Sequence, residues 1–130
     1  MKEIGIYIHI PFCTKKCGYC DFYSVKWNEM QEYQYIQSAI NEIKSYSALS
    51  KKFVVDSIYV GGGTPSIISP ENLDNIIGTI RGIFAVNKDC EISMEANPNS
   101  LAKNLKIYKE IGINRLSIGV QSLNDDILKK

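Results

Sequence analysis

No stretch of this chain is apolar for the roughly 18 residues that a membrane-spanning helix needs, and no run of lysine and arginine forms the basic stripe that tracks a phosphate backbone. Fifteen basic residues against fourteen acidic ones leave a net charge of +1 over 130 residues. A membrane span and a nucleic-acid partner are both set aside. Met1, Lys2 and Glu3 lead straight into a short strand-like segment, without the apolar core of a secretion signal. A cytosolic, reducing compartment is the expectation, and there the four cysteines are not paired as disulfides. With no low-complexity tract and no Gly/Ser linker, the chain reads as one domain or part of one.

Three of the four cysteines crowd into one loop, Cys13, Cys17 and Cys20, in the spacing C-x-x-x-C-x-x-C. Three thiolates can hold three corners of an iron-sulfur cube and leave the fourth iron open, whereas electron-transfer ferredoxins supply a fourth thiolate. An open iron is a place to bind and reduce something. Zinc is the alternative, because His9 or Cys90 could join the three thiolates as the fourth ligand of a tetrahedral site. Against it, zinc sites usually draw ligands from two knuckles and this chain has one. Cys90, alone at the start of a later strand, reads as a buried small hydrophobe. Lys15 and Lys16 either favour the thiolate forms or are solvated loop residues. The role of His9, whether bonded to a carbonyl, near a cluster or carrying a proton, stays open.

The rest of the chain alternates strand and helix. Ile4 to Ile10 reads as the first strand, followed beyond the cysteines by a helix marked by Met30, Tyr33, Ile36, Ile40 and Ile43. Asp56 to Val60 is the second strand, and Ser69-Pro70-Glu71 caps a helix carrying Leu73, Ile76, Ile77 and Ile80. Glu91 to Ala96 is the third, stopped by Pro98, with Ser100 capping a helix through Leu101, Leu105 and Tyr108 to Gly112. Arg115 to Gln121 is the fourth, and Asn124 opens a last helix. Such alternation predicts a parallel sheet with right-handed crossovers.

Strands buried on both faces read as nearly continuous apolar runs, yet three of these alternate. Ile4, Ile6, Ile8 and Ile10 oppose Gly5, Tyr7 and His9; Ile92, Met94 and Ala96 oppose Ser93, Glu95 and Asn97; Leu116, Ile118 and Val120 oppose Ser117, Gly119 and Gln121. One face is expected under helices and the other, small or polar, on the inside of a partial parallel (βα) barrel of about four units that holds a polar ligand near the strand ends. A sheet with one wet face is the plainer alternative. Gly61-Gly62-Gly63-Thr64-Pro65 follows the second strand, where glycine lets main chain approach a ligand without a Cβ in the way.

The run Tyr7-Ile8-His9-Ile10-Pro11-Phe12-Cys13, continued by Cys20-Asp21-Phe22, resembles the radical S-adenosylmethionine (SAM) superfamily, and within it the oxygen-independent coproporphyrinogen III oxidase and haem chaperone family. The likeness extends from about Gly5 to Leu128. It implies a 4Fe-4S cluster on Cys13, Cys17 and Cys20 as metal ligands, and SAM as the second cofactor. It further implies SAM contacts from Gly62, Gly63 and Thr64, from Glu95 and Gln121, from Tyr7 near the sulfonium and from Tyr19 beside the adenine. An electron from the reduced cluster would split SAM into methionine and a 5'-deoxyadenosyl radical.

In the oxidase branch that radical takes hydrogen from propionate side chains of coproporphyrinogen III, which then lose carbon dioxide. In the chaperone branch the protein carries haem. The oxidases have a further cysteine where this chain has Phe22, so the resemblance favours the chaperone, with haem bound in the full-length protein and an oxidase as the alternative. A zinc-stabilised binding module stands third. The implied partners are SAM, haem or a porphyrinogen, and a reductant protein such as flavodoxin or ferredoxin. Residues 1–130 are expected to be the N-terminal portion of a longer core domain and inactive in decarboxylation by themselves.

Overall fold

Isoleucine at every second position can be buried on one side only if the backbone is extended, and Lys2–Ile10 forms strand β1. The computed structural model describes residues 1–13 and 25–118, and the side chains of all of these except 99–102. Two short strands, β2 (Phe12–Cys13) and β3 (Val25–Lys26), come next, followed by helix α1 (Glu29–Ser45). Strand β4 (Phe53–Gly62), helix α2 (Pro70–Ile83), strand β5 (Ala85–Ala96), helix α3 (Pro98–Ile111) and strand β6 (Arg115–Ile118) complete the described elements.

The sheet order β1-β4-β5-β6 follows the chain, and every pairing in it is parallel. Successive right-handed crossovers that always step the same way put the helices on one side. Ile8, Ile10, Ile58, Val60, Ile92 and Met94 therefore meet Ile36, Leu73, Ile76, Ile77, Ile80 and Tyr108 in one buried cluster. Burying each such side chain is worth about 1.5–3 kcal/mol, so the fold rests on this side. Across the sheet lies the face that carries Tyr7, Tyr59 and Glu95. The partial-barrel expectation holds as three complete strand-helix units and a fourth strand among the described residues.

Several boundaries differ from the sequence reading. β5 starts at Ala85 rather than Glu91: Val55 pairs with Val86 and Ser57 with Glu91, so residues 87–90 bulge opposite Asp56. α3 starts at Pro98, not after a cap at Ser100. Proline there both stops β5, lacking a ladder N–H, and opens the helix, where a missing N–H costs nothing. Gly112, at φ 114°, ends α3 as expected. Met30 and Tyr33 are exposed on α1, whose buried positions are Glu32 and Ile36. Ile118 is also exposed, since β6 is the last strand of the described sheet. Gln121 and the helix expected from Asn124 lie outside the described residues.

α2 begins as read: the Ser69 hydroxyl accepts from the Asn72 amide at 3.1 Å, with Pro70 in the first turn. No described helix is long and apolar enough to cross a membrane.

Candidate functional site

The root of the cysteine loop is gripped from both sides. β2 and β3 pair in parallel, Phe12 with Val25 and Cys13 with Lys26. The Val25 amide donates to Pro11 O at 2.7 Å, and the Trp27 amide to Cys13 O at 2.8 Å. From the other side the glycine-rich turn donates twice, Gly63 N to Ile10 O at 2.8 Å and Thr64 N to Phe12 O at 2.7 Å. Cys13 is buried at the end of β2, its thiol 3.7 Å from Val25 O. Cys17, Cys20, Tyr19, Lys15, Lys16 and Phe22 lie outside the described residues.

These bonds give the triple glycine a physical reason beyond ligand access. Gly62 sits at φ 120° against the Ile10 main chain, where a side chain is strained whatever the space. A Cβ on Gly63 would stand 2.6 Å from Phe12 O. The amides of Gly63 and Thr64 are thus committed to the loop root. Gly61 differs, because its missing Cβ faces the open side: one placed there would lie 2.7 Å from Glu95 Oε1, 2.8 Å from the Tyr59 ring and 3.1 Å from the Tyr7 hydroxyl.

Gly63→Ala should lower stability by about 1–3 kcal/mol, because backbone rather than a flexible side chain must yield. Gly78, exposed inside α2 with nothing within 4 Å of an added Cβ, is the control. Alanine there should stabilise by about 0.5–1 kcal/mol. Urea titrations of the two variants would show the opposite signs.

Over Gly61 three side chains from three parallel strands converge. Tyr59 donates its hydroxyl to Glu95 Oε1 at 2.9 Å, and its ring stacks on Tyr7 with centroids 5.9 Å apart and planes 16° from parallel. The Tyr7 hydroxyl lies 3.1 Å from His9 Nδ1. Burial, then the Glu95 charge, raises the Tyr7 pKa; burial, then the hydrogen bond to Glu95 and its charge, raises that of Tyr59. Both phenols stay neutral at pH 7. Beside them Tyr59, Gly63, Thr64, Glu95, Asn97 and Ser117 line a cleft of about 410 Å3, within the range of small-molecule pockets. Its rim is firm, since Ser66 Oγ accepts from Asn97 N at 3.2 Å and Tyr108 donates to Ser66 O at 3.3 Å.

The sequence reading brought Tyr7, Glu95 and Thr64 to this face, and the structure puts them there. Tyr59 is not among the residues that the sequence reading brings to this face, and Gly61 enters it only as part of the glycine-rich turn. The signal was present: Ser57, Tyr59 and Gly61 alternate with Ile58 and Val60 as the open-face residues of the other strands do.

A carboxylate that accepts from hydroxyl or ammonium groups, two aromatic faces for a cation and a floor kept clear of Cβ fit the polar, sulfonium-bearing SAM. A buried thiol at a firmly held loop root fits a metal ligand. Cys90 does not join it. It is buried in the core, its thiol pushed up chiefly by burial, which disfavours the thiolate that binds metal. It precedes Glu91, which pairs with Ser57, itself paired with Gly5. From Gly5 to the end of β1 is roughly 17 Å of extended chain, too far for a shared zinc shell.

The Radical SAM superfamily model matches residues 7–130. The chain is 43% identical over 132 residues to the heme chaperone HemW of Buchnera aphidicola subsp. Schizaphis graminum, covering all of this chain and 35% of that protein. It is 38% identical to HemW of Escherichia coli, with the same coverage. The solved structure of E. coli coproporphyrinogen III oxidase (HemN), a radical SAM enzyme, superposes with a TM-score of 0.88 at 29% identity, over 98% of this chain and 30% of that one. The chain therefore spans about a third of the length of the relatives it matches.

Proposed function

Since the chain belongs to the radical SAM superfamily, we propose that it forms the cluster-bearing wall of a SAM site in a protein that carries and delivers haem. The observation that carries this reading is the convergence of Tyr7, Tyr59 and Glu95 over Gly61, beside the held root of the cysteine loop. Cys13, Cys17 and Cys20 would hold a 4Fe-4S cluster. When bound, cluster and SAM together supply reductive cleavage of a carbon-sulfur bond at the sulfonium.

The chain's own residues orient the substrate. Glu95 accepts hydrogen bonds from SAM hydroxyl or ammonium groups, its carboxylate held at one oxygen by Tyr59. Tyr7 presents a neutral aromatic face to positive charge. Gly62, Gly63 and Thr64 shape the turn beside the loop root, and Gly63 and Thr64 line the cleft. Tyr19 and Gln121 complete the contacts by resemblance to the family. A soluble reductant such as flavodoxin or ferredoxin would supply the electron, in the cytoplasm.

Haem delivery rather than porphyrinogen oxidation is supported by the relatives at 36–43% identity that are named heme chaperone, and by Phe22 in place of a further cysteine. The test is made on the full-length protein, reconstituted anaerobically. Stoichiometric haem binding with no carbon dioxide released from coproporphyrinogen III is the expected result. Sustained release of carbon dioxide would move the reading to the oxidase; tight zinc in place of iron would end it.

A further inference from the structure

Glu32 is a carboxylate buried to 5% exposure on α1, and no part of the SAM site uses it. A buried charge is costly unless its lone pairs are satisfied, and here three donors do so. Trp27 Nε1 donates to Oε1 at 2.7 Å; Ser69 N donates to Oε2 at 3.2 Å, and the Asn72 side-chain amide donates to the same oxygen. Ser69 and Asn72 belong to the start of α2. Trp27 directly follows β3, the strand by which the chain leaves the cysteine loop.

One helical step away, Tyr35 acts on the strand by which the chain enters. Its hydroxyl donates to the main-chain oxygen of His9, and its ring meets Phe12 edge-on at 5.7 Å and 87°. Residues three apart on a helix share a face. That face of α1 therefore grips both stems of the loop, entering through Tyr35 and leaving through Glu32, while Oε2 of Glu32 ties the grip to α2.

We propose that Glu32 and Tyr35 are positioning residues for the cluster: α1 sets the spacing of the two stems and so the placement of Cys13 at the mouth of the loop. This rests on the reading of that loop as a cluster site. Residues that orient metal ligands from behind typically matter about ten- to a hundredfold in metal retention. Glutamine would be a poor replacement for Glu32, since its NH2 cannot accept and would face a donor on one side or the other.

Three variants of the full chain separate positioning from plain stability. Trp27→Phe removes the donor on the leaving stem, and Tyr35→Phe removes the one on the entering stem while keeping the ring contact. Ile113→Val thins the core between α3 and β6, apart from Glu32, Tyr35 and both stems. In anaerobically reconstituted protein, Trp27→Phe and Tyr35→Phe should each shorten the half-life of the cluster absorbance under chelator about tenfold and alter the resonance spectrum of the reduced cluster. Ile113→Val should leave both near wild type although it too lowers the melting temperature. In apo protein, amide exchange at positions 25 and 27 should quicken in Trp27→Phe and not in Ile113→Val.

Wild-type retention and spectrum in Trp27→Phe, or equal cluster loss in Ile113→Val, would overturn the proposal. Wild-type protein that takes up no iron would instead strike the cluster reading itself. Unchanged exchange at 25 and 27 would then remove the grip as well.

Discussion

Cys13→Ala should abolish the brown absorbance of anaerobically reconstituted protein, while Cys90→Ala keeps all of it. The two cysteines are both buried and yet differ in what surrounds them. Cys13 stands at the mouth of the loop, on a two-residue strand held by four main-chain hydrogen bonds around residues 10–13. Cys90 lies among core side chains, with its thiol pushed toward the protonated form by burial and by the charges of Asp56 and Glu91. Losing its sulfur leaves a methylene-sized cavity, worth about 0.5–1.5 kcal/mol, which a domain of ordinary stability survives. Iron and sulfide analysis of both variants decides the matter. Full cluster in Cys13→Ala, or its loss in Cys90→Ala, would refute the ligand assignment.

Glu95→Ala should weaken SAM binding about ten- to a hundredfold, the equivalent of losing charge-assisted hydrogen bonds worth about 1.5–3 kcal/mol. The fold should hold, because Glu95 stands on the face of β5 opposite the core that Ile92 and Met94 enter. Tyr59 loses its acceptor, but at 36% exposure water can replace it. A second readout needs no SAM. The hydrogen bond and charge of Glu95 both raise the Tyr59 pKa, after burial, so in Glu95→Ala this phenol should ionise at lower pH in an ultraviolet titration. Unchanged SAM affinity in calorimetry of the reconstituted variant would remove Glu95 from the site; an unchanged phenol titration would contradict the Tyr59 contact.

Much of the site was legible because strand geometry is periodic. Alternation with period two assigns Tyr7 and Glu95 to the polar face, and the spacing of the three cysteines marks the loop. Tyr59 is less legible because Ile58-Tyr59-Val60 reads as a continuous buried run rather than an alternating one, although Ser57 and Gly61 flank it on the same face. Glu32 was beyond reach in a different way. Helical periodicity pointed to Met30 and Tyr33, and a glutamate between them reads as solvated; only three donors arriving from two other segments make burial of that carboxylate tolerable.

The triple glycine shows the same division. Sequence marked it as a place where main chain comes close to something; the fold made that partner Ile10 and Phe12 at positions 62 and 63, and left Gly61 to face the cleft.

The amino-acid sequence by itself determined the strand-helix alternation, which face of each strand is apolar, and the close spacing of three cysteines along the chain, since all three depend on residue type and local spacing. The tertiary structure alone decided which residues meet across strands. Register brought Tyr7 beside Tyr59 and set Cys90 far from Cys13, and the docking of α1 gave Glu32 its partners. Those contacts join residues far apart in the chain, and local spacing does not encode the distances at which separate segments come together.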